Sequence, residues 1–545
     1  MLNMSERLQD MVSAQANKTP DSRAVVFGED SLTYAQLDIQ SNRLGRMLQV
    51  EGCQTGDRVA LVMPKSIEAI VGMLGVLKAG CIYVPIDLDS PSVRVQRIFS
   101  ASDPKAVLVA KAGSNLLDDC LSIDSGQRKV ISTEPGGISG AHFESNHDFS
   151  GLESFESNSL NPDTSNSDIA HLLFTSGSTG TPKGVMITHR NVASFVNWAS
   201  RYFEISEGDQ ISGHPPLHFD LSTFDIFGSL SRGATLHLVP PQLNLMAAKM
   251  AEWMRVSQLT QWFSVPSILT YMAKFDVVKA NDFPALKRLL WCGEVLPTPT
   301  LRYWMERLPH VTFTNLYGPT EATIASSYYT VTHPPADDRE SIPIGTPCGG
   351  EELLVVKDDN LQPAEPGTTG ELHIRGTGLS PGYWQDTEKT SQAFVMDPSD
   401  PTVRSYRTGD LGKVDEDGLF HYVGRLDSQI KSRGHRIELG EIETALNAFE
   451  CLRESAVVGV ETGGFEGTLI CCAYAANSDE DVTPADLRKQ LSALVPRYML
   501  PSRWQCYDRL AKNANGKIDK RKIREAFASK LLDNNSRLSE TSNQH

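Results

Sequence analysis

Short apolar runs alternate with helical patterns along much of this chain, and this alternation limits the possible folds more than any other feature. Up to about Val109, the runs AVVF, VALVM and AVLVA alternate with patterns such as that of residues 67–79. The alternation resumes after Ile169, where ATLHLV, LTQWFSV, LKRLLWCG and VTFTNLYG each run into a turn. Such a pattern is typical of βαβ units around parallel sheets. The sequence therefore predicts an α/β fold with a large N-terminal region of βαβ subdomains.

Later segments depart from this pattern. After Gly350, the stretches EELLVV, GELHIRG and YRTGDLGKVDEDGLFHYVG alternate apolar and charged residues between glycine turns, which predicts a small, antiparallel, β-barrel-like unit. From about Ser428, the chain restarts with helix, strand and helix, as a small α+β C-terminal domain would. We expect a large domain at residues 1–426, a small one at 427–530 and a polar tail at 531–545. Residues 112–167, rich in Ser, Asn, Gly and Asp, favour a surface loop or a partly disordered insertion.

Charge and cysteine usage exclude several classes of function. The chain has 51 Lys and Arg against 67 Asp and Glu, a net charge of −16, so a nucleic acid is an unfavourable general partner. No run of about 18 apolar residues could span a membrane, and the N-terminus has no apolar signal segment. The nine cysteines form no C-x-x-C pair. We therefore expect buried thiols in a reducing compartment and a cytoplasmic protein.

A glycine-rich loop lies between the apolar run IAHLLF and the helical pattern that follows it. Its small residues let backbone N–H groups surround an anion, and its hydroxyls add donors. It is not a Walker A loop, because Pro182 stands where the second glycine belongs, and Gly376, Gly378 and Gly382 miss the Rossmann spacing by one residue. On its own, this loop leaves phosphate binding and an ordinary turn equally open. The loop residues are Thr175, Ser176, Gly177, Ser178, Thr179 and Gly180, followed by Lys183.

Several further motifs occur in a fixed order through nearly the whole chain. Together they resemble those of the adenylate-forming superfamily, specifically free-standing amino-acid adenylation domains of nonribosomal peptide synthesis. Any one motif could arise by chance, but the complete ordered set could not. The motifs are LTYAQL (32–37), LKAGCIYVPID (77–87), the glycine-rich loop, HFDLS (218–222), NLYGPTE (315–321), GELHIRGTGLSPGY (370–383), YRTGDL (406–411), GRLDSQIKSRGHRIELGEIE (424–443), VPRYMLP (495–501) and NGKID (515–519).

The resemblance implies ATP and Mg²⁺ as cofactors. Glu321 would hold the metal, and Asp410 would grip the ribose hydroxyls. Tyr317 would stack on adenine, with Gly293 and Gly318 leaving room; without the family context, a core position for Tyr317 and a turn at Asp410 would be the favoured interpretations. The implied catalytic residues are Lys517, Thr175, Lys183 and Glu321, and the implied nucleotide-binding residues are the loop residues 175–180 with Gly293, Glu294, Asn315, Tyr317, Gly318, Thr320, Asp410 and Arg425.

Two features near the C-terminus belong to the reaction cycle that the resemblance implies. Lys517 would stabilise the charge that builds on the substrate carboxylate and the α-phosphate as pyrophosphate leaves. In this superfamily the small C-terminal domain rotates between two half-reactions, and Asp427 matches its hinge. Lys431 and Arg433 would then face the cleft in the second state. The sequence therefore predicts a mobile C-terminal domain.

Asp220 indicates the class of acid that is activated. An α-ammonium group is costly to bury without a partner carboxylate, and fatty-acyl and aryl-acid relatives usually lack this aspartate. The alternative for Asp220 is a helix N-cap. Beyond Asp220 and Lys517 the implied pocket is apolar, which favours a small or medium neutral amino acid: proline first, then alanine or cysteine. The implied pocket residues are His218, Asp220, Leu221, Phe224, Ser264, Leu290, Cys292, Leu316, Ile324 and Ala325.

The expected function is the formation of an aminoacyl-AMP with release of pyrophosphate. The aminoacyl group would pass to the phosphopantetheine thiol of a separate carrier protein, because the sequence contains no carrier or condensation motif. One alternative is an acyl- or aryl-CoA synthetase of the same superfamily, against which Asp220 argues. A second is a non-catalytic nucleotide-binding scaffold, against which the presence of Lys517, Glu321 and Asp410 argues.

Overall fold

The computed structural model describes most of the chain and divides into two compact units. The described residues are 7–122, 128–177, 181–338, 340–357, 361–462, 467–477, 482–512 and 518–542, with side chains up to residue 531. The first unit comprises Met1–Leu88, Ile98–Phe174 and Lys183–Leu426. The second comprises Asp89–Arg97, Thr175–Pro182 and Asp427–His545. The glycine-rich loop thus groups with the C-terminal residues.

The helices and strands follow one another in the order that the sequence pattern indicates. In chain order the helices are α1 (Leu8–Lys18), α2 (Tyr34–Val50), α3 (Ile67–Lys78), α4 (Ser92–Ser102), α5 (Ser114–Leu121), α6 (His189–Tyr202), α7 (Asp220–Leu230), α8 (Ala247–Val256), α9 (Pro266–Lys274), α10 (Thr298–Arg307), α11 (Thr387–Ala393), α12 (Leu439–Leu446), α13 (Pro484–Leu491) and α14 (Lys520–Ser542). The strands are β1 (Arg23–Phe27), β2 (Asp30–Thr33), β3 (Arg58–Val62), β4 (Ile82–Pro85), β5 (Ala106–Val109), β6 (Lys129–Ser132), β7 (His147–Asp148), β8 (Ile169–Thr175), β9 (Lys183–Thr188), β10 (Gln210–Gly213), β11 (Thr235–Leu238), β12 (Gln261–Ser264), β13 (Arg288–Cys292), β14 (Thr312–Tyr317), β15 (Ser327–Val331), β16 (Thr346–Pro347), β17 (Glu351–Val356), β18 (Gly370–Gly376), β19 (Phe394–Met396), β20 (Arg404–Val414), β21 (Phe420–Arg425), β22 (Gln429–Ser432), β23 (His435–Glu438), β24 (Leu452–Glu461), β25 (Thr468–Ala476) and β26 (Arg503–Cys506).

Parallel sheets form the centre of the first unit, which confirms the predicted fold class. One sheet has the strand order β7-β6-β5-β3-β4-β8-β9, and the other has the order β16-β15-β14-β13-β12-β10-β11-β1-β2. Strands β10 to β14 pair in parallel, and β15 then adds antiparallel at the edge. Continuous apolar runs such as RLLWC in β13 are buried along their whole length, as strands covered on both faces must be.

The predicted antiparallel unit is also present. Strands β17, β18, β20 and β19 pair in that order, and β21 pairs with β20. All of these pairings are antiparallel. Leu353, Val355, Leu372 and Ile374 alternate onto one face and form a buried cluster there with Tyr317. The apolar face of this sheet therefore packs against Tyr317 at the end of β14.

Local capping explains where two long helices begin. Thr33 accepts a hydrogen bond from the Gln36 N–H at 3.2 Å, and the Gln36 side chain accepts one from the Thr33 N–H at 2.8 Å. Thr188 and Asn191 form the same reciprocal arrangement before α6. Each box satisfies two donors that a helix start leaves without intrahelical partners, so α2 and α6 begin where the sequence places Thr-x-x-Gln and Thr-x-x-Asn.

The second unit has a sheet of its own, in the order β24-β25-β26, and the hairpin β22–β23. Apolar residues of α12 and α13 pack with Val457 and Cys472 on one face of the sheet. Ile523 and Phe527 of α14 pack with Val458 and Cys471 on the other. Neighbouring residues of one strand point to opposite faces, which is why both faces of this short sheet are covered.

One expectation about local structure is wrong. Residues 112–167 are not a continuous loop, because they carry helix α5, strands β6 and β7 and a 3-10 helix at Phe149–Ser154. The apolar residues Leu117, Cys120, Val130 and Ile131 are buried, so a few well-placed side chains outweigh the polar composition. Helix α14 continues to Ser542, into the segment that the sequence analysis describes as a polar tail.

The structure also shows the lengths of the apolar helices and the state of the cysteines. No helix among the described residues is long and apolar enough to cross a membrane. All nine cysteines lie in the described part of the chain; none is in a disulfide, and Cys506 alone is exposed.

Candidate active site

The carboxyl ends of four parallel strands meet at one edge of the larger sheet. Strands β10, β12, β13 and β14 end at Gly213, Ser264, Cys292 and Tyr317. Ligands of open α/β sheets bind outside this edge, where loops carry side chains that the sheet itself does not use. Every pocket residue that the sequence predicts, apart from Lys517, follows or ends one of these strands, so the fold brings distant motifs to one place.

The apolar wall of the predicted pocket lies on one face of this sheet. Cys292 pairs with Leu316 across β13 and β14, and Leu290 lies two residues before Cys292, so these three side chains share a face. They belong to one buried cluster with Leu221 and Phe224 of α7 and with Ile324 and Ala325. The Cys292 Sγ lies 3.9 Å from the carbonyl oxygen of Ile324. The structure thus brings together seven of the predicted pocket residues: Leu221, Phe224, Leu290, Cys292, Leu316, Ile324 and Ala325.

Ser264 is not part of this buried cluster, and its assignment to the pocket stays a prediction. It pairs with Trp291, and its hydroxyl accepts a hydrogen bond from Trp262 Nε1 at 2.8 Å. Both tryptophans belong to the core on the opposite face of the sheet. Phe263 lies on the face of the wall, because it pairs with Leu290 and its ring lies 5.8 Å from that of Phe224. The wall therefore includes an aromatic side chain that the sequence motifs do not indicate.

Asp220 begins helix α7 at the mouth of this wall. The N-cap of α7 is Phe219, whose side chain makes no cap, so Asp220 is the first helical residue rather than the N-cap. A carboxylate in the first turn is favoured by the partial positive charge of a helix N-terminus. The side chain is buried, and His218 precedes it with its ring 5.0 Å from that of Phe219.

Tyr317, Asp410 and Arg425 form a second cluster in the first unit. The Tyr317 hydroxyl donates to Asp410 Oδ2 at 2.7 Å, and Arg425 Nη1 donates to Asp410 Oδ1. Burial raises the pKa of Tyr317 well above its usual range, and the adjacent Asp410 charge raises it further. Each Asp410 oxygen keeps a second lone pair, so the carboxylate can still accept two hydroxyl groups. That acceptor pair suits a ribose.

Gly293 and Gly318 are glycines for different reasons. At Gly293 the backbone has φ +98°, and a Cβ would meet only Val265 Cγ1, at 3.8 Å, so space is open there. At Gly318 a Cβ would lie 2.5 Å from the Ala325 Cα and 2.8 Å from the Ser326 nitrogen. Gly293 therefore leaves room, as expected, whereas Gly318 is needed because another backbone segment packs directly against it.

Glu321 lies in a 3-10 turn at Thr320–Ala322 and is fully buried. The Tyr383 hydroxyl donates to Glu321 Oε1 at 2.8 Å, and Lys183 Nζ lies 5.2 Å from the centre of the Tyr383 ring. Mg²⁺ is usually held by one or two carboxylates together with substrate phosphates and water, so a single buried glutamate is a sufficient donor. Sequence reasoning missed Tyr383, the last residue of the GELHIRGTGLSPGY motif.

Two predicted nucleotide residues have structural partners. Glu294 Oε2 accepts from the Ser267 N–H at 3.2 Å, which satisfies a free donor at the start of α9. Asn315 Nδ2 donates to the Pro343 carbonyl at 2.8 Å and so ties β14 to a distant loop. Thr320 begins the turn that carries Glu321.

The described part of the glycine-rich loop lies in the second unit. The Ser176 hydroxyl donates to the Arg436 carbonyl at 2.7 Å, and the Thr175 hydroxyl has no hydrogen-bond partner among the residues described. The buried Glu441 has its pKa raised by burial, and its ion pair with Arg94 and the N–H of Gly177 lower it. A loop N–H that faces a carboxylate fits the predicted affinity for anions. Ser178, Thr179, Gly180 and Lys517 lie outside the described residues.

The predicted hinge is followed by a tight hairpin. Asp427 Oδ1 accepts from the Gln429 N–H at 3.0 Å, so the side chain fixes the backbone just after it. Arg433 and Gly434 link β22 and β23 with φ values of +52° and +82°. Two such residues are typical of the turn that joins closely paired antiparallel strands. Arg433 is exposed at this turn, and Lys431 lies within β22.

Strained backbone supports the wall between Tyr317 and Ala325. Thr323 and Ile324 have φ values of +58° and +71°, which β-branched residues rarely adopt. The Thr323 hydroxyl donates to the Gly378 carbonyl at 2.7 Å, and the Gly378 N–H donates to Glu351 Oε1 at 2.7 Å. Strain of this kind persists only where the surroundings hold it, and it concentrates at functional sites. No sequence signal marks Thr323 or Glu351, although Gly378 lies in a recognised motif.

Comparisons with known proteins agree with this geometry. The sequence profile of AMP-binding enzymes matches residues 12–384, and that of the AMP-binding enzyme C-terminal domain matches residues 441–517. The chain is 34% identical over 520 residues to tyrocidine synthase 1 of Brevibacillus parabrevis, covering 95% of this chain but 45% of that protein. It thus spans less than half of that relative.

Some of the similar proteins match over nearly their whole length. An L-proline–L-prolyl-carrier protein ligase of Streptomyces coelicolor is 34% identical over 511 residues, covering 92% of this chain and 93% of that protein. The solved structure of the amide bond synthetase McbA from Marinactinospora thermotolerans matches with a TM-score of 0.84 at 25% identity, over 96% of this chain and 100% of that one.

The strand register generates a test of the pocket wall. Replacing Phe263 by Val is expected to raise the kcat/KM ratio for leucine over proline by about tenfold or more, because a removed wall group admits a larger side chain. Ser264→Ala is the matched control, since it removes only a hydroxyl group from the next residue, which pairs with Trp291, and should leave the ratio unchanged. The measurement is amino-acid-dependent ATP–pyrophosphate exchange. The reverse result would place Ser264 in the pocket.

The raised pKa of Glu351 predicts that the stability of the protein depends on pH. Burial raises its pKa from 4.5 to about 7, while the Gly378 N–H and the Thr377 hydroxyl lower it. The folded protein therefore holds this proton more tightly than the unfolded chain, so the stability from Glu351 is lost as pH rises through about 7. Glu351→Gln keeps the acceptor without the charge. The melting temperature of this variant minus that of wild type should therefore be larger at pH 8 than at pH 5.

The exposed neighbour Glu352 supplies the control for this experiment. Glu352→Gln should show the same difference from wild type at both pH values. A Glu351→Gln difference that does not change between pH 5 and pH 8 would contradict the assigned protonation.

Proposed function

Because the chain belongs to the AMP-binding enzyme family of adenylate-forming ligases, we propose that it activates a small neutral amino acid, L-proline first, as the aminoacyl-AMP. The observation that carries this proposal is the pocket wall, where a buried aspartate begins helix α7 and buried apolar side chains line the sheet edge beside it. A lysine, arginine or glutamate side chain would be desolvated there without a partner. The name of the Streptomyces coelicolor relative supports proline.

The proposed roles follow from the groups that each site offers. Asp220 binds the α-ammonium group, and the wall that includes Phe263 receives the side chain. Proline suits this wall because its ring is compact and apolar and needs no hydrogen-bond partner beyond its ammonium. Alanine would fill less of the wall, and cysteine would bring a weakly polar thiol to it; both remain the next candidates.

ATP supplies the adenylyl group, and Mg²⁺ screens the charge of its phosphates. Asp410, held by Tyr317 and Arg425, would accept the ribose hydroxyls. Glu321 would bind the metal, and the Tyr383 hydroxyl would hold that carboxylate in place. Lys183, Thr320 and the loop residues Thr175 to Gly180 would contact phosphate, with Gly293, Glu294, Asn315 and Gly318 shaping the nucleotide site. Lys517 would stabilise the negative charge that develops between the substrate carboxylate and the α-phosphate.

We further propose a second half-reaction in which a carrier protein accepts the aminoacyl group on its phosphopantetheine thiol. The division of the chain at Leu426 and Asp427 supports a hinge there, with a large domain before it and a small mobile one after it. The Streptomyces coelicolor relative is itself named as a carrier protein ligase. Lys431 and Arg433 lie just beyond the proposed hinge and would serve this step.

The ammonium assignment is tested by a pair of isosteric acids. Wild type should catalyse pyrophosphate exchange with proline and, at least about a hundredfold more weakly, with cyclopentanecarboxylate, because the carboxylate of Asp220 needs a cation. Asp220→Asn should reduce exchange with proline and narrow this ratio. Ser229→Ala, at the other end of α7, is the control and should keep the wild-type ratio. Equal exchange with both acids would favour the aryl- or acyl-CoA synthetase alternative.

Failure of exchange with every proteinogenic amino acid, aryl acid and fatty acid would favour the non-catalytic scaffold. The amino-acid panel should include proline, alanine, cysteine, serine and valine. The order of their kcat/KM values identifies the substrate.

The acceptor is tested by supplying alternatives to the preformed aminoacyl-AMP. We expect an aminoacyl thioester with a phosphopantetheine-bearing carrier protein and none with the same carrier lacking the arm, measured by intact-protein mass spectrometry. Coenzyme A as the better acceptor would favour an acyl-CoA synthetase. Amide formation with a free amine, without a carrier, would indicate an amide bond synthetase, the activity named for the Marinactinospora structure.

A further inference from the structure

A buried lysine lies beneath the segment that carries Asp220. Lys65 follows strand β3 and is only 8% exposed. Its Nζ donates to the carbonyl oxygens of Gly213 at 2.7 Å, His214 at 2.5 Å and Val239 at 3.4 Å. An ammonium group has three protons, and here each of them has a backbone acceptor. Lys65 therefore fastens the end of β10 and the residue after β11 to the end of β3.

Asp225 faces this ammonium charge from helix α7. It is 1% exposed, and neither carboxylate oxygen has a donor in hydrogen-bond geometry among the described residues. Burial raises the pKa of Asp225 well above its usual range, while the Lys65 charge and the His214 backbone N–H lower it. Burial lowers the pKa of Lys65 to about 7, and the Asp225 charge opposes that shift. Each charge thus offsets part of the cost of burying the other.

The surrounding residues add no third charge to this pair. Burial lowers the pKa of His214 to about 3, and the Lys65 charge lowers it further, so its ring is neutral. His214 Nε2 lies 2.9 Å from Asn244 Oδ1, which gives the ring a fixed neutral partner. Among the described residues around Lys65, Asp225 therefore supplies the negative charge that acts on it.

Lys65 acts on both ends of a short segment. Its hydrogen bonds hold Gly213 and His214, where the connection from β10 begins, and its charge attracts Asp225, in the second turn of the helix that follows. Between these points lie His218 and Asp220. Asp225 follows Phe224 directly, and a step of one residue on a helix turns the side chain by about 100°, so it points away from the pocket wall.

We propose that Lys65 is a positioning residue for the amino-acid site, holding residues 213–225 so that Asp220 is presented at the mouth of the apolar wall. The inference rests on the proposed function, since it requires that Asp220 bind an amino acid. It assigns no role to Lys65 in nucleotide binding, because Tyr317, Asp410 and Arg425 lie on β14, β20 and β21.

The test compares Lys65→Met with a matched lysine in pyrophosphate exchange. Lys65→Met should raise the KM for the amino acid by about ten- to a hundredfold, the cost of a small displacement of a binding group, and change the KM for ATP by less than about threefold. Lys78→Met is the control. Lys78 is equally buried in the same unit and binds Asp38 Oδ1 at 2.7 Å, but it holds α2 rather than the 213–225 segment. This control should lower stability without raising the KM for the amino acid.

A double variant separates positioning from charge compensation. Lys65→Met leaves the Asp225 charge buried alone and should lower the melting temperature, and adding Asp225→Asn should restore much of it because no buried charge remains. The KM for the amino acid should stay raised in the double variant, since the bonds to Gly213 and His214 are still missing. Lys65→Arg, which keeps the charge, should fall between wild type and Lys65→Met.

Different results would overturn the proposed function and the positioning role of Lys65. Wild-type protein without exchange for any amino acid would overturn the proposed function, and this inference with it. Three results with an active wild type would overturn the positioning role alone. In the first, Lys65→Met raises both KM values equally; in the second, it raises neither. In the third, the KM for the amino acid recovers together with stability in the double variant. If Lys65→Met does not fold, the double variant supplies the same comparison of the two KM values.

Discussion

The candidate site depends on the register between parallel strands β12, β13 and β14. Pairing of Phe263 with Leu290 and of Cys292 with Leu316 commits these side chains to one face, and the residues between them go to the tryptophan-rich core on the other. A shift of one residue would exchange the two sets and place indole rings against the ligand. The apolar wall of the proposed amino-acid pocket, from Leu221 on α7 to Ile324 in the strained turn, packs on the face that this register exposes.

Much of this arrangement could be predicted because the informative residues lie in short motifs at strand ends. Tyr317 and Asp410 are 93 residues apart, yet each lies in a motif that the sequence displays, and the structure joins them by a hydrogen bond. The sequence could not show on which face of β12 Ser264 and Phe263 lie, for a physical reason. A strand that is buried on both faces shows no alternation of polar and apolar residues, so the sequence of β12 does not reveal which side chains face the ligand.

Other features had no signal in the sequence. The positive φ values of Thr323 and Ile324 are imposed by tertiary contacts and contradict the preference of β-branched residues. Lys65 and Asp225 are separated in the chain by the seven strands β4 to β10 and the four helices α3 to α6, and a single lysine after an apolar run usually marks a solvated turn. The helix and strand within residues 112–167 were hidden by polar composition, since their apolar residues are few and closely spaced. Long-range packing, rather than local preference, decided each of these cases.

The close contact between Gly318 and Ala325 has a consequence for altering the enzyme. Gly318 belongs to the nucleotide motif and Ala325 to the pocket wall, and the Ser326 N–H also donates to the Tyr317 carbonyl at 2.7 Å. The proposed nucleotide site and the proposed amino-acid pocket are therefore joined by one backbone loop. Transplanting the specificity residues of another adenylating enzyme onto this scaffold would not be a modular exchange, since any new side chain that displaces Ala325 also displaces the segment that carries Tyr317. Successful grafts must include the whole loop from Tyr317 to Ser326.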